Sequence, residues 1–410
     1  MRVVVINTGT EILLGDVLNT HLAFIAQEIF PLGLRIAEQR SVPDGAAIQG
    51  ALTDVFPRAD LIFVTGGLGP TTDDVTRELV AELLGLELVE DKAIRYGIES
   101  RLRLRKIPVT ERIFRQAMIP RGGSALPNAN GTAPGIFLPA NVNPSKLSPH
   151  LFLLPGPPRE LRPMFRELVV PRLRMILPPA DPITLRKFRL ANIGESIVEK
   201  KIGEQLLAIP GLELGYCSRL GEVDLRLIGS PAVVAAAAEI VLANLADTIF
   251  SEADEDLAQV IVQMLAARGE TLALAESCTG GLLAHRITNV PGSSAVFLAG
   301  AVTYANAEKI RTLGVLADSI EQHGAVSDIV AREMAEGMRA CTNATYALAT
   351  TGIAGPGGGS EEKPVGTAFI ALASERQPTR SEKIFMPTDR ETFKQIIAQR
   401  AFDLLRKALR

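Results

Sequence analysis

Residues 61–70 read LIFVTGGLGP, and the expected architecture of the first part of the chain follows from this stretch. Residues 61–64 are continuously apolar, which is typical of a strand covered on both faces. They run directly into a glycine-rich turn, after which a helix is predicted to begin near Asp74. Residues 3–6 form a second apolar run, and the helix after it is predicted to end at Gly33. This β-α-β-α order predicts a parallel sheet with helices on both faces, an α/β fold.

The length of the chain indicates more than one domain. At roughly 150 residues per domain, 410 residues correspond to two or three domains. The predicted domains are residues 1–176, 183–250 and 254–410, with residues 177–182 (LPPADP) as a linker. In the middle domain, strands are predicted at 184–190, 212–216 and 223–228, and helices at 195–208 and 231–249. This order predicts a small α+β domain, and the last domain alternates strands and helices again.

Composition excludes several classes of protein. The net charge of −3 gives no basic surface for nucleic acid. The longest apolar stretches are far shorter than the roughly 18 residues of a membrane span, so no membrane partner is expected. The three scattered cysteines form no CxxC pair, which favours a reducing compartment. Residues 1–11 are too short for a signal peptide, and we therefore expect a cytoplasmic protein.

Three loops rich in glycine or small polar residues follow strands of the first domain. They are residues 7–11 (NTGTE), 66–74 (GGLGPTTDD) and 130–135 (NGTAPG). Ligands of open α/β sheets bind beyond the carboxyl ends of strands, and glycines let backbone N–H groups approach an anion. The adjacent Asp73 and Asp74 could hold Mg²⁺ against a pyrophosphate. The alternative is that residues 71–74 only cap a helix and the glycines only form turns.

A second candidate site lies in the last domain, where a predicted strand at 271–275 leads into the loop ESCTGG (residues 276–281). Ser277 there is a nucleophile only if a base removes its proton, and a buried Lys309 could do so because desolvation lowers a lysine pKa. Tyr304 could relay or orient the proton, and the Thr351 hydroxyl could contact phosphate or an oxyanion. Alternatively, the serine is a helix cap and the lysine is solvated. Cys278 is a rival nucleophile.

The first 170 residues contain four motifs of a known family. They read GTEILLGDVLNT, VTGGLGPTTDDVTRE, NGTAPGI and LLPGPPRELRPMF. This part of the chain resembles the N-terminal domain of the CinA (competence/damage-inducible) family, a three-layer α/β domain similar to the molybdopterin-binding fold of MogA and MoeA. The resemblance implies an ADP-ribose pyrophosphatase that uses Mg²⁺ or a similar divalent metal. The implied ligand-site residues are Glu11, Gly66, Gly67, Thr76, Asn130 and Gly131, and the implied metal ligands are Asp44, Asp73 and Asp74. Two loops depart from the family pattern, at residues 42–45 (VPDG) and 155–158 (PGPP).

Five further motifs lie in order between residues 254 and 410. They read AESCTGG, AVTYANAEK, HGAVSD, TTGIAGPGGGSEEKPVGT and TDR. They resemble the C-terminal CinA domain and the stand-alone nicotinamide-nucleotide amidases. The resemblance implies deamidation of nicotinamide mononucleotide (NMN) without a cofactor, with Ser277 as nucleophile, Lys309 as base, Tyr304 as its partner and Thr351 as a substrate contact. The other implied substrate-binding residues are Glu276, Thr279, Gly280, Gly281, Gly352, Gly355 and Arg390. A further arginine common in relatives is Lys394 here.

The middle domain is similar to the KH-like linker domain of the same family. It lacks the glycine that would close a GXXG loop after Gly194, so no RNA partner is expected. The resemblance implies a homodimer. Two alternatives to the amidase stay open: the N-terminal pyrophosphatase is the main activity, or the chain is a non-enzymatic molybdopterin-binding or competence-associated scaffold.

Overall fold

The computed structural model describes residues 1–178 and 181–410. These residues form two compact units, Met1–Pro182 and Ile183–Arg410. Of the linker predicted at 177–182, Pro179 and Ala180 lie outside the described residues. Over the two described ranges, no helix combines the length and the apolar composition needed to cross a membrane.

The first unit is built on a six-stranded mixed sheet in the order β2-β1-β3-β8-β7-β6. Its strands, with a separate two-stranded sheet of β4 and β5, are β1 (Val3–Thr8), β2 (Ile36–Val42), β3 (Leu61–Thr65), β4 (Leu88–Glu90), β5 (Met118–Pro120), β6 (Ser124–Leu126), β7 (Gly135–Leu138) and β8 (His150–Leu154). Its helices are α1 (Thr10–Leu14), α2 (His21–Ile29), α3 (Ala46–Val55), α4 (Thr76–Leu84), α5 (Lys92–Leu104), α6 (Pro158–Met164) and α7 (Val170–Ile176). The pairs β1/β2, β1/β3 and β3/β8 are parallel.

Both faces of this sheet are buried, as the continuous apolar runs predict. Val5 and Phe63 belong to one core cluster, whereas Val4 and Ile62 belong to another on the opposite face. Neighbouring strand residues point to opposite faces, so an unbroken apolar strand requires helices on both sides. The predicted three-layer α/β fold is confirmed. The helix predicted near Asp74 begins two residues later, because the preceding residues form a polar turn.

The second unit contains two further sheets. Its strands are β9 (Thr184–Ala191), β10 (Glu213–Arg219), β11 (Glu222–Gly229), β12 (Ile249–Ser251), β13 (Leu272–Glu276), β14 (Phe297–Val302), β15 (Tyr346–Gly352), β16 (Thr367–Ser374) and β17 (Arg380–Phe385). Its helices are α8 (Glu195–Val198), α9 (Glu204–Leu207), α10 (Pro231–Leu245), α11 (Leu257–Arg268), α12 (Leu282–Thr288), α13 (Asn306–Leu313), α14 (Ala317–His323), α15 (Asp328–Thr342) and α16 (Arg390–Ala408).

The antiparallel sheet β10-β11-β9-β12 packs its apolar face against α8–α10. The prediction of a helix through residue 249 is wrong at its end. Helix α10 stops at Leu245, and Ile249–Ser251 instead pairs with β9 as an edge strand. The isoleucine and phenylalanine at 249 and 250 suit a strand, and neither is a strong helix former.

The third sheet has the order β14-β13-β15-β16-β17 and two unlike faces. One face carries Leu274 and Leu348 and packs in the same core cluster as residues of α11 and α16. The other carries Ala275 and Ala349 and packs with α15, whose close approach the small side chains permit. Strands β13 and β15 are parallel neighbours at the centre, so the loops after Glu276 and Gly352 emerge at the same edge. The candidate site lies at this edge.

Candidate functional site

Ser277 and Lys309 meet inside the second unit. Ser277 directly follows β13, and Lys309 lies in the first turn of α13. The Lys309 Nζ atom lies 3.2 Å from Ser277 Oγ, 2.8 Å from the Thr303 carbonyl oxygen and 3.1 Å from the Tyr304 carbonyl oxygen. Only 1% of Lys309 is exposed, so the alternative of a solvated lysine does not describe this structure. The predicted serine and lysine are therefore in hydrogen-bond contact.

The surroundings of Lys309 favour its uncharged form. Burial lowers the pKa of the Lys309 amine, because the charged form is poorly solvated there. A neutral amine has two N–H donors and one lone pair. Two carbonyl oxygens can accept the two donors, which leaves the lone pair for the Ser277 hydroxyl proton. This arrangement suits a lysine that acts as a base toward serine.

Glu276 holds the serine loop together and does not face the cavity. Its carboxylate accepts hydrogen bonds from the backbone N–H groups of Gly281 (2.9 Å), Leu283 (3.1 Å) and Ala284 (2.9 Å), and from the Thr279 hydroxyl (2.7 Å). These N–H groups belong to the start of α12, where a carboxylate is stabilised by unpaired donors and the helix dipole. Glu276 was predicted to bind substrate, but in the structure both of its oxygens are turned to the loop and it does not line the cavity.

A cavity of about 270 Å³ opens beside Ser277 and Lys309. Of the predicted residues, those that line it are Ser277, Lys309, Tyr304, Thr351, Gly352, Gly355 and Arg390. Thr279, Gly280 and Gly281 do not line it, because they form the turn that Glu276 closes. Gly280 and Gly281 have positive φ angles of 63° and 93°, so glycine is favoured at both positions by the backbone conformation and not by a ligand. Sequence reasoning missed Asn306, which lines the cavity one helical turn before Lys309.

Tyr304 and Thr351 make contacts that differ from the predicted ones. Tyr304 touches Lys309 only through its carbonyl oxygen, while its hydroxyl accepts a hydrogen bond from Arg390 at 2.7 Å. It therefore does not relay the lysine proton in this arrangement. The Thr351 hydroxyl donates to the Ala325 carbonyl oxygen at 2.8 Å. Its single O–H proton is engaged, so it is not available to an oxyanion, although its oxygen can still accept.

Cys278 is a poor alternative nucleophile. The residue is 4% exposed and packs in the main core cluster of this domain. Burial raises the pKa of the Cys278 thiol to about 12, so the reactive thiolate is scarce at neutral pH. Among the two adjacent candidates, the serine is the one in contact with a base.

The N-terminal unit contains a larger cavity of about 470 Å³. The three predicted loops all reach it, and its lining includes Glu11, Asp44, Gly66, Gly67, Asp73, Asp74, Asn130 and Gly131. Sequence reasoning missed Gln116, Arg105 and Arg159, which line the same cavity from outside the three loops. Gln116 is 1% exposed, and its Oε1 atom has no hydrogen-bond partner among residues 1–178 and 181–410. Such an atom is typical of a site that a ligand completes.

Thr76 was predicted to line this cavity but is fully buried behind it. Its backbone N–H donates to the Gly67 carbonyl oxygen at 3.1 Å and so fixes the glycine loop from the rear. Gly66 has a φ of 102°, and an added Cβ would lie 2.7 Å from the Thr8 carbonyl oxygen. Only glycine fits at position 66, which explains why the loop after β3 begins with glycine.

The three predicted metal ligands share the cavity but already have partners. Asp74 accepts from the Thr71 backbone N–H at 2.9 Å, and Asp44 accepts from the Thr10 N–H at 3.2 Å. A hydrogen bond from Thr71 lowers the pKa of the Asp73 carboxyl, which is exposed. Across residues 1–178 and 181–410, no three His, Cys, Asp or Glu side chains are placed to hold one ion. A ready-made protein site is thus not assembled, whereas an ion shared with a pyrophosphate needs only one or two carboxylates.

Comparison with known families places both cavities in recognised domains. Residues 4–175 match the family model of a probable molybdopterin binding domain, and residues 254–409 match the CinA C-terminal domain. The fold and the sites thus define an α/β protein that joins a molybdopterin-binding-type domain to a CinA-type domain.

Relatives align with the chain over almost its whole length. It is 44% identical over 402 residues to the CinA-like protein of Akkermansia muciniphila, covering 98% of this chain and 96% of the relative. It is 42% identical over 418 residues to a putative competence-damage inducible protein of Moorella thermoacetica, covering 100% and 99%. The crystal structure of a competence/damage inducible protein from Agrobacterium tumefaciens is 39% identical, covers 37% of this chain and 93% of that chain, and has a TM-score of 0.37. The chain belongs to the CinA family.

Proposed function

We propose that the C-terminal site hydrolyses the carboxamide of nicotinamide mononucleotide and releases nicotinate mononucleotide and ammonia. The observation that supports this proposal is the 3.2 Å contact between Ser277 Oγ and the Nζ atom of a buried lysine. A hydroxyl next to a desolvated amine at a cavity wall is the arrangement that serine–lysine acyl transfer requires.

The proposed reaction has two stages. In the first, Ser277 Oγ bonds to the carboxamide carbon while its proton passes to the Lys309 amine. Lys309 then returns that proton to the leaving nitrogen, the C–N bond breaks, and ammonia departs from an acyl-serine ester. In the second, a water molecule gives a proton to Lys309 and attacks the ester. Ser277 recovers its proton from Lys309, and the carboxylate product is released.

Arg390 is the proposed contact for the substrate phosphate. It lines the same cavity as Ser277, and its side chain is exposed. The Gly355 carbonyl oxygen at 2.9 Å and the Tyr304 hydroxyl at 2.7 Å hold the guanidinium in place. An oriented guanidinium can bind two phosphate oxygens at once. Lys394, where relatives have an arginine, does not line this cavity and lies 3.8 Å from Glu391.

Ammonia release from NMN by the full chain tests this proposal. We expect one ammonia for each nicotinate mononucleotide, and Ser277→Ala should remove both products while NMN still binds. Ser293→Ala, a buried serine outside the cavity lining, is the matched control and should retain activity. Ammonia release that survives Ser277→Ala would refute the proposed nucleophile.

A second proposal concerns the N-terminal cavity, which we infer binds ADP-ribose through its pyrophosphate and cleaves it to AMP and ribose 5-phosphate. The glycine loops and Arg159 on the cavity wall support an anionic ligand, and the Gln116 Oε1 atom could accept a hydrogen bond from a ribose hydroxyl. Asp73 and Asp74 would hold a divalent ion shared with the pyrophosphate, which would neutralise part of its charge.

The N-terminal proposal has its own assay. We expect AMP formation from ADP-ribose that requires Mg²⁺ or a similar ion and that Asp73→Asn combined with Asp74→Asn abolishes. Glu82→Gln removes an exposed carboxylate on α4 outside the cavity and should have no effect. Turnover that persists with chelator would contradict the role of these aspartates.

A further inference from the structure

A small cavity in the second unit lies at the edge of the sheet opposite to Ser277. Its volume is about 230 Å³, and its lining includes Tyr346, the first residue of β15. Thr351, in the serine–lysine cavity, is five residues further along this strand. At about 3.3 Å per residue, the two ends are roughly 17 Å apart. The two cavities are therefore separate sites on one domain.

Four arginines surround the opening of this cavity, namely Arg268, Arg376, Arg380 and Arg410. Glu270 is the one carboxylate side chain in the lining, and it pairs with Arg376 at 3.1 Å. Arg380 donates to the Gln377 side-chain oxygen at 2.6 Å, and Arg410 donates to the Ala246 carbonyl oxygen at 2.9 Å. Arg380 thus has only a neutral partner, whereas Asp247 and Asp403 also attract the Arg410 guanidinium.

Arg268 is the least engaged of the four arginines. It lies at the end of α11 with its side chain exposed, and within the described chain its guanidinium has no hydrogen-bond or ion-pair partner. Arg268 and Arg380 have no carboxylate partner among the described residues, and two such cations at one small cavity form a field that favours an anion. Guanidinium groups are the side chains best suited to bind phosphate through paired hydrogen bonds.

The base of the cavity contains a buried carboxylate, which favours a ligand that carries hydroxyl groups as well as a phosphate. Glu270 is 7% exposed; its Oε1 atom faces Arg376, whereas its buried Oε2 atom finds no hydrogen-bond partner in the part of the chain that the structure describes. Tyr346 lies beside it, and burial, the Glu270 charge and a side-chain hydrogen bond to Glu270 raise the pKa of the Tyr346 hydroxyl. A buried carboxylate oxygen without a donor is costly, so a ligand that supplies O–H groups would stabilise it.

From these two features we infer that this cavity binds the phosphate ester of a small polyol, with the phosphate on the arginines and a hydroxyl on Glu270. The volume suits a sugar phosphate and is too small for a dinucleotide, since pockets for drug-sized ligands start near about 300 Å³. This site is independent of the amidase and pyrophosphatase proposals.

Titration calorimetry on the full chain with ribose 5-phosphate, inorganic phosphate and ribose tests the inference. Ribose 5-phosphate should bind at least about tenfold more tightly than either fragment, because it alone satisfies both the arginines and Glu270. Arg268→Gln combined with Arg380→Gln should weaken it by about tenfold or more. Glu270→Gln should reduce its advantage over inorganic phosphate. Lys383→Gln, which removes a charge on β17 outside the cavity, is the matched control and should leave the affinity unchanged.

Three results would overturn the inference. Equal affinity for inorganic phosphate and ribose 5-phosphate would show that Glu270 takes no part. Equal weakening by the control and by the double arginine variant would show only general charge attraction. Binding that the double arginine variant leaves intact would place the sugar phosphate elsewhere. It would lie in the serine–lysine cavity if Arg390→Gln abolishes binding, and in the N-terminal cavity if Asp73→Asn combined with Asp74→Asn does so.

Discussion

Lys309 has 1% of its surface exposed at the wall of its cavity, whereas the carboxylates around the N-terminal cavity are half-buried or exposed. The lysine contacts two carbonyl oxygens and Ser277, and burial lowers its pKa. Asp44 and Asp74 instead accept hydrogen bonds from neighbouring loop N–H groups. In one site burial changes the pKa of a single amine, and the other site gathers several carboxylates that accept hydrogen bonds from loop backbone.

This difference separates two ways to build a site at the end of parallel strands. A buried amine is prepared for proton transfer before any ligand arrives, because desolvation has already shifted its equilibrium. A wide cavity of loops and exposed carboxylates gains its order from the ligand, as the unpartnered Gln116 oxygen indicates. Changes to the first site should therefore affect rate, and changes to the second should affect binding.

The strongest way to break this comparison is Lys309→Met, which keeps the length of the side chain and removes the amine. Loss of a general base lowers kcat by about 10²–10⁴-fold, and we expect this range for ammonia release from NMN. The affinity for NMN should change little, because the proposed phosphate contact is Arg390. Lys394→Met, outside the cavity, is the control. A loss below tenfold would mean that Lys309 is not the base.

The pH profile of kcat/KM is the next test. The base form of Lys309 is the deprotonated amine, so activity should rise about tenfold per pH unit below its pKa. The plateau should begin below the ordinary lysine value of about 10.4, because burial lowers the pKa. Between the lowered pKa of Lys309 in the folded protein and the ordinary lysine pKa, the unfolded chain carries one more proton than the folded protein. The free energy of unfolding should therefore rise with pH over this range, and Lys309→Met should abolish the rise. An activity that falls over this range would contradict the assignment.

ADP-ribose binding provides the contrast within the same chain. The Thr71 hydrogen bond lowers the pKa of Asp73, so this carboxylate stays ionised over roughly pH 6–9. We expect the affinity of the N-terminal cavity to be flat over that range, while amide hydrolysis rises. If the affinity for ADP-ribose rose with pH as steeply as amide hydrolysis does, the distinction between the two sites would be lost.

Sequence patterns predicted most of the strands and the position of Ser277 and Lys309. Continuous apolar runs such as residues 61–64 predict strands that are buried on both faces. The loop after a central parallel strand is a strong indicator of a ligand site. The end of α10 was not predictable from periodicity, because a short apolar segment such as residues 249–251 fits either a helix or a strand.

The roles of individual polar side chains were harder to predict. Glu276 and Thr351 are at the predicted places, yet their hydrogen bonds turn them toward loop backbone. A motif gives the spacing of polar groups along the chain, but the partner of each atom depends on side-chain direction in three dimensions. Asn306 lay within a quoted motif, three residues before Lys309, and that helical spacing was the available signal.

Glu276→Gln tests whether the serine loop is prefolded. The amide keeps the shape but replaces one accepting oxygen with a donor that faces backbone N–H groups. We expect a loss of about 2 kcal/mol in the free energy of unfolding, roughly a 30-fold change in the equilibrium constant. Denaturant titration measures this, and Glu308→Gln, in an exposed pair with Arg311, should cost less than about 0.5 kcal/mol. Equal losses would show that Glu276 is not a special acceptor.

Arg390→Gln should give the smallest effect. It tests the comparison of the two cavities because it changes substrate binding in the serine–lysine cavity, where the other variants change the rate. Arg390 lines the same cavity as the reacting hydroxyl, and it is exposed. We expect KM for NMN to rise about tenfold with kcat nearly unchanged, since a contact made equally in ground and transition states affects KM alone. Nicotinamide riboside lacks the phosphate, so the variant and the parent should process it equally. A fall in kcat for both substrates would instead assign Arg390, through its bond to the Tyr304 hydroxyl, to the alignment of the lysine loop.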